Sequence, residues 1–218
     1  MYKKLLLAFV SIIAIQSAKA QTEKGSQMLG ASFGVSTSSS DSKYLDYNNN
    51  TYGPNVHGKT TSYSIAPNYS YFVADKLDVG VSVGYSYLKN DYDDSNFAPQ
   101  HQRDNSFNAG IYLRKYFLYD NKIGIRTGPL FNYQTSKTIQ SNEVTPQYDS
   151  QRKTNSYTGG IGLDFVYFPI KRIGLTAALG GINYSHQEVK GTNPASYNNF
   201  NASFANGFIF SINYVFGN

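Results

Sequence analysis

Four charged residues, Asp78, Arg114, Arg126 and Asp164, stand in stretches otherwise made of Gly, Ser, Asn and aliphatic side chains. Each falls on the small-residue parity of an alternating run, opposite Val79, Leu113, Ile125 and Leu163, so each faces away from the apolar side. Arg114 lies about five residues before one short turn, Arg126 about five after it, and Asp164 about five before the next, which sets them at similar height on neighbouring antiparallel strands. In an interior far less polar than water such groups pair or hydrogen-bond with one another. Two chemistries fit: a charged constriction in a narrow pore, or a structural plug that closes a lumen. An eight-stranded ring is about wide enough for side chains to fill, which favours the plug.

The other reactive side chains are scattered. His57, His101 and His186 all fall in polar stretches far apart in sequence, as solvated loop residues do. Ser185-His186-Gln187-Glu188 holds residue types found in hydrolases, but neighbours in a strand alternate faces, so Ser185 and His186 do not aim at one point. Asp91-Tyr92-Asp93-Asp94 could meet Ca²⁺, yet it lacks the Gly and terminal Glu of a dedicated loop. Gly159-Gly160-Ile161-Gly162 reads as strand and not as a phosphate loop, since no helix follows. There is no cysteine, hence no disulfide, thiolate nucleophile or cysteine metal site. No catalytic residue, cofactor or metal is therefore assigned.

The elements that position the four charges are set by period two. Thr61 to Leu88 places Tyr63, Ile65, Tyr69, Tyr71, Leu77, Val79, Val81, Val83, Tyr85 and Tyr87 on one parity, with Ser, Asn, Ala, Gly and Asp78 on the other. That is a hairpin turned at Ala74-Asp75-Lys76. Further strands read as Gln27 to Ser36, Ser106 to Phe117, Ile123 to Gln134, Ser156 to Phe168, Ile173 to about Tyr184, and Phe200 to Phe216. Gly180-Gly181 predicts a bulge that changes phase, and Pro67 and Pro129 each predict one. Between strands, polar stretches 38–59, 89–103, 135–154 and 185–199 read as long loops, alternating with tight turns at Tyr119 to Lys122 and Pro169 to Arg172. The count is eight, and an even ring leaves no edge unpaired in lipid. Aliphatic residues hold the strand centres and aromatic ones the ends, as in two interfacial girdles. The fold expected is all-β: an eight-stranded antiparallel up-and-down transmembrane β-barrel.

Composition agrees. Only 15% of residues are charged, against roughly 25% in ordinary soluble domains, while there are 20 Tyr, 14 Phe and no Trp. Met1 to Lys4 is a basic start, Leu5 to Ile15 is apolar, and Ala18-Lys19-Ala20 is an A-x-A site, so residues 1–20 read as a secretory signal peptide and 21–218 as the barrel. Removing Lys3, Lys4 and Lys19 leaves 16 basic and 14 acidic residues, so the formal +5 owes most of its excess to the leader and gives no support to a nucleic-acid partner. Beyond the leader, no apolar run approaches the ~20 residues of a membrane helix, so any crossing is made by strands. A soluble ligand-carrying barrel would put the Ser/Gly/Asn parity in water, where Lys and Glu are expected and scarce.

The stretches SIAPNYSYFVADKLDVGVSVGYSY (Ser64 to Tyr87), FNAGIYLRKYF (Phe107 to Phe117) and FIFSINYVF (Phe208 to Phe216) resemble the outer-membrane β-barrel domain family, the small OmpA/OmpX-type barrels common in Bacteroidota. The resemblance implies the outer membrane of a Gram-negative bacterium, surrounding outer-membrane lipid, and contact with the barrel-assembly machinery during biogenesis. Phe208, Phe210, Ile212, Tyr214 and Phe216 are similar to the C-terminal assembly signal, though Gly217 and Asn218 follow the final Phe. Tyr, Ser, Gly and Asn in the polar stretches suit an adaptable contact surface for an extracellular ligand. The function expected is a structural or surface-interaction role through long loops around a packed lumen. A narrow channel is the alternative, ahead of a lipid-modifying enzyme.

Overall fold

The computed structural model describes residues 21–46, 51–93, 100–142, 146, 149–191, 194–204 and 210–216. The stretch 1–20, read from the sequence as a signal peptide, and Phe208 lie outside them. Among the described residues there are nine strands: β1 (Gln27–Asp46), β2 (Thr51–Ala74), β3 (Leu77–Tyr92), β4 (His101–Tyr119), β5 (Ile123–Ser141), β6 (Ser150–Ile170), β7 (Ile173–Lys190), β8 (Ala195–Phe204) and β9 (Phe210–Phe216). Strands β1 to β7 pair each with the next, all antiparallel, and β9 closes the ring by pairing with both β7 and β1. The stretch read as one final strand is two pieces stacked along β7: β8 pairs with its 180–189 half and β9 with 173–177. The ring has eight positions.

Alternation sorts the faces as the pattern requires. Val79, Val81, Val83, Ile111, Ile125 and Ile161 are exposed on the outside, while Ser70, Asp78, Gly80 and Arg126 are buried within. An exposed apolar wall of this kind is stable only against lipid. Ring contacts Tyr63–Tyr87 at 5.0 Å, Tyr85–Phe107 at 4.9 Å and Tyr133–Tyr157 at 5.2 Å form the upper girdle. The tight turns at 75–76 and 120–122 carry positive φ at Lys76, Asp120 and Asn121, and Asp and Asn tolerate that region best.

Two expectations are corrected and one bulge stands as expected. The stretches 38–59, 89–103, 135–154 and 185–199 are not long loops: most of their residues continue the strands, and β2 alone runs 24 residues. A strand needs only ~9–11 residues to cross a bilayer, so a crown of polar hairpins rises well beyond the lipid. Above the membrane the outward face meets water and the inward face is mostly polar although partly buried, as at Thr138, so the apolar alternation that marks a half-buried strand disappears while the hydrogen-bonded ladder persists. Pro67 and Pro129 mark no bulge either. Pairing β1–β2 runs unbroken through Pro67 and β5–β6 through Pro129, and the opposite ladders skip residues without shifting register. In an antiparallel strand a residue bonds to one neighbour only, so proline removes a donor on one side and leaves the other ladder whole. The register does shift between Leu163 and Asp164 opposite β7, where Gly180 has φ 144° and an added Cβ would stand 2.1 Å from the Ser203 carbonyl oxygen. Only glycine fits that bulge.

Closure is uneven. β1 pairs with β9 only over Gln27 to Ala31, and among the described residues no pairing joins the rest of β1 to β8. Phe33, Phe200 and Phe210 beside this seam are 74%, 68% and 70% exposed, against 39% for Ile125 in the continuous wall.

Candidate functional site

The lumen is filled in two layers at the end that carries the short turns. Lowest is an apolar floor: Met28 from β1, Phe72 from β2, Tyr116 from β4, Val166 and Phe168 from β6, and Val215 from β9, all nearly or wholly buried, with Leu118 packed against them. Phe72 and Tyr116 rings lie 5.4 Å apart. Residues 22–26 close over this end: Gly25 N–H donates to the Phe72 carbonyl at 2.9 Å, Lys76 N–H to the Thr22 carbonyl at 2.7 Å, and Lys24 N–H to Asp75 Oδ1 at 2.8 Å.

Above the floor lies the ionic layer. Register places Asp78 directly opposite Arg114, Tyr116 opposite Arg126, and Arg126 opposite Asp164. Arg114 grips Asp78 with two bonds, Nε to Oδ1 at 3.1 Å and Nη2 to Oδ2 at 2.6 Å. The Tyr116 hydroxyl donates to Asp78 Oδ2 at 3.0 Å and accepts from Arg126 Nη1 at 3.2 Å, while Arg126 Nε donates to Asp164 Oδ2 at 2.7 Å. Two cations and two anions thus form one neutral chain across three ladders, with Tyr116 as its hinge. Charge-assisted and bidentate bonds of this kind are the strong ones, and a buried charge needs that many partners to be tolerated. Arg114 also stacks on Tyr112, 3.7 Å from the ring centroid, and Tyr112 reaches over Gly80 to donate to the Tyr69 carbonyl at 3.3 Å. A cavity of about 250 Å³ sits on top, lined by Ser82, Arg114, Arg126, Leu130, Asn132 and Asp164 among others.

Sequence reasoning missed Tyr112 and Tyr116, and it missed the floor. The floor's signal is the loss of alternation near the turns, in Tyr71-Phe72-Val73 and in Phe165 to Phe168, where both parities become apolar. Of the terminal alternating residues, Ile212 lies between Ala31 and Leu175, and Tyr214 between Leu29 and Ile173, so the last strand is the one that closes the ring. Phe210 and Phe216 share its outward parity.

The crown holds the histidines apart. His57 Nδ1 lies 2.8 Å from Asp41, His101 Nδ1 2.9 Å from Asp91, and His186 Nδ1 2.9 Å from Asn198 Oδ1. Ser185 pairs with inward Thr158 and His186 with outward Tyr157, so the two side chains leave the strand on opposite faces. Among the described residues no group of His, Asp and Glu could hold a metal. Asp93 instead accepts from the His57 backbone N–H at 2.7 Å, and Asp94 lies outside the described residues. Asp91 accepts from Lys89 at 2.6 Å as well as from His101. Burial alone would push the Asp91 carboxyl up, but the hydrogen bonds from Lys89 and His101 outweigh it and hold it below its ordinary value.

A closed antiparallel ring with an apolar exterior, aromatic residues collected toward the strand ends and a filled lumen has the architecture of a transmembrane β-barrel. No family model matches the chain, and no curated protein matches it. Two solved structures are similar in outline: the outer membrane protein OprG from Pseudomonas aeruginosa, 14% identical with TM-score 0.48, covering 92% of this chain and 100% of that one; and Ail, the attachment invasion locus protein of Yersinia pestis, 13% identical with TM-score 0.40, covering 88% and 99%.

Proposed function

We propose that this barrel is a sealed wall anchor whose work is done by its polar crown, as a structural or surface-interaction protein meeting an extracellular ligand or envelope component. The observation that carries this is the double closure of the lumen, the Asp78–Arg114–Tyr116–Arg126–Asp164 chain resting on Met28, Phe72, Val166, Phe168 and Val215. A pore would need those side chains to part, and a buried ion pair loses several kcal/mol when one partner is withdrawn (~3–5). The contact surface is the set of tall hairpins, rich in Tyr, Asn and Ser, in place of the long loops first expected. The same reading gives the protein no catalytic role, since Ser185 and His186 diverge and the other histidines are paired locally. Phe210, Ile212, Tyr214 and Phe216 serve as the assembly signal in this proposal, presenting an apolar edge to the assembly machinery before the ring closes.

Reconstitution into a planar bilayer tests the sealed lumen. Wild-type protein is expected to give no sustained single-channel steps, and a steady conductance from folded protein would overturn the reading.

A further inference from the structure

The outward face of the crown carries like charges directly against one another. Lys137 on β5 lies opposite Lys153 on β6, and Lys153 lies opposite Lys190 on β7. Arg103 on β4 is the diagonal neighbour of Lys137, since Asn105 is Lys137's direct partner and Arg103 pairs with Ile139. Arg103, Lys137, Lys153 and Lys190 are exposed, and no carboxylate pairs with any of them among the described residues. The outward positions of β4, β5 and β6 above the girdle are otherwise His101, Asn105, Thr135, Ile139, Gln151 and Asn155, with no acid among them. Asp91 with Lys89 bounds the row on one side, and on β7 Glu188 stands two residues below Lys190 on the same face, 3.7 Å from His186.

Cross-strand partners stand only ~4.5–5.5 Å apart between Cβ atoms, and like charges so placed destabilise a sheet. A wall that kept three lysines abreast for its own stability would have alternated their signs. Height explains the arrangement. Tyr133 and Tyr157, whose tilted rings meet at 5.2 Å as part of the girdle, mark where the lipid's apolar region ends. One step further out, the Tyr133 and Thr135 hydroxyls both donate to Asn155 Oδ1, at 3.3 and 3.0 Å. Lys137 and Lys153 come next, four residues beyond the tyrosines on the same face, roughly 13 Å along the strand. That is the level of lipid headgroups.

We propose that Arg103, Lys137, Lys153 and Lys190 form a binding row for the phosphate-bearing headgroups of an anionic outer-leaflet lipid. The row spans four neighbouring strands, about 14 Å at ~4.8 Å per strand, enough for more than one phosphate. Arg103 supplies a planar fork and the lysines supply point charges. Bound phosphate replaces the repulsion between Lys137, Lys153 and Lys190 with attraction, so the lipid both recognises and steadies this side of the crown. The seam by β1 and β8, where Phe33 and Phe200 stand exposed, carries no comparable row.

The test is the thermal midpoint at which the heat-stable fast band on a gel is lost, measured in zwitterionic phosphatidylcholine vesicles with and without phosphorylated lipid A. Wild-type protein is expected to gain stability from the phosphorylated lipid and not from its dephosphorylated form. The double variant Lys137→Gln/Lys153→Gln is expected to reverse the order: more stable than wild type in phosphatidylcholine, where repulsion is relieved, and without the gain from lipid A. Binding of the lipid itself should weaken roughly fivefold per charge removed. Lys137→Arg/Lys153→Arg keeps the charge and should keep the gain. An equal gain in the glutamine variant, no gain in wild type, or a glutamine variant less stable in phosphatidylcholine would overturn the proposal. If inorganic pyrophosphate alone gives wild type the full gain, the row reads free phosphate and the lipid assignment falls.

Discussion

At the turn end of the barrel, inward side chains from β1, β2, β4, β6 and β9 meet across the lumen. At the hairpin end the strands continue beyond the lipid with mostly polar side chains on both faces. Inside the turn end the lumenal charges lie largely out of solvent and each is paired with another: Asp78 is wholly buried and takes three hydrogen bonds from Arg114 and Tyr116. The crown holds its charges in water, where pairs such as His57 with Asp41 are optional, each contributing ~0–1 kcal/mol. The difference teaches where mutation should be felt. Polar substitutions that are fatal to the plug should be nearly silent in the crown.

The largest effect should come from Asp78→Ala. It strands Arg114 in a buried site and frees the Tyr116 hydroxyl, and removing one partner of a buried pair costs about 3–5 kcal/mol. The expected result is a lowered urea midpoint for refolding into detergent micelles. His57→Ala in the crown should shift that midpoint hardly at all, and equal effects at the two sites would erase the contrast between the ends.

A middle-sized effect should follow from Gly80→Val. A Cβ at Gly80 would stand 2.5 Å from the Tyr112 ring, so the ring must swing into the cavity above and give up its stacking on Arg114. Overpacking of this kind costs about 1–3 kcal/mol. A drop in the unfolding midpoint without loss of the folded gel band would sharpen the picture of a layer that is held by packing as well as by charge. No drop at all would show that Tyr112 is a bystander.

This contrast also sorts what the sequence could reveal. Val79, Val81 and Val83 declare the outer wall because lipid on one face and lumen on the other impose period two. The crown escapes that logic: in Asn55 to Lys59 and Ser185 to Lys190 polar residues dominate both faces, so residues that look like loop are those of paired strands. The floor escapes it in the opposite sense, since Phe72, Val166 and Phe168 are apolar inside a wall already apolar outside, and alternation vanishes by excess. Asp78, Arg114, Arg126 and Asp164 stand out as charges on a small-residue face, but which meets which depends on register. Tyr116 joins them only because β4 and β5 set it opposite Arg126. The lysine row has the same character: Lys137, Lys153 and Lys190 are far apart in the chain, and two ladders bring them abreast.

The smallest effect expected separates the ends by pH. Asp91 sits in the crown between Lys89 and His101, and its carboxyl is held below the ordinary value near 4. A group with a depressed folded pKa contributes stability that is fully present above the unfolded value and is lost as pH falls through the folded one. Asp91→Asn removes that contribution at neutral pH, so amides along the β3–β4 hairpin should exchange with solvent faster than in wild type at pH 7, after correction for intrinsic rates. As pH falls below the ordinary carboxylate range the wild-type carboxyl takes up its proton and the two proteins should converge. Amides of β2 and β4 beside Phe72 and Tyr116 should show no difference at either pH, because nothing in the floor touches Asp91. A variant that loosened the floor as well would mean that crown and plug open as one unit, and the division of the barrel into a solvated and a packed end would not describe its dynamics.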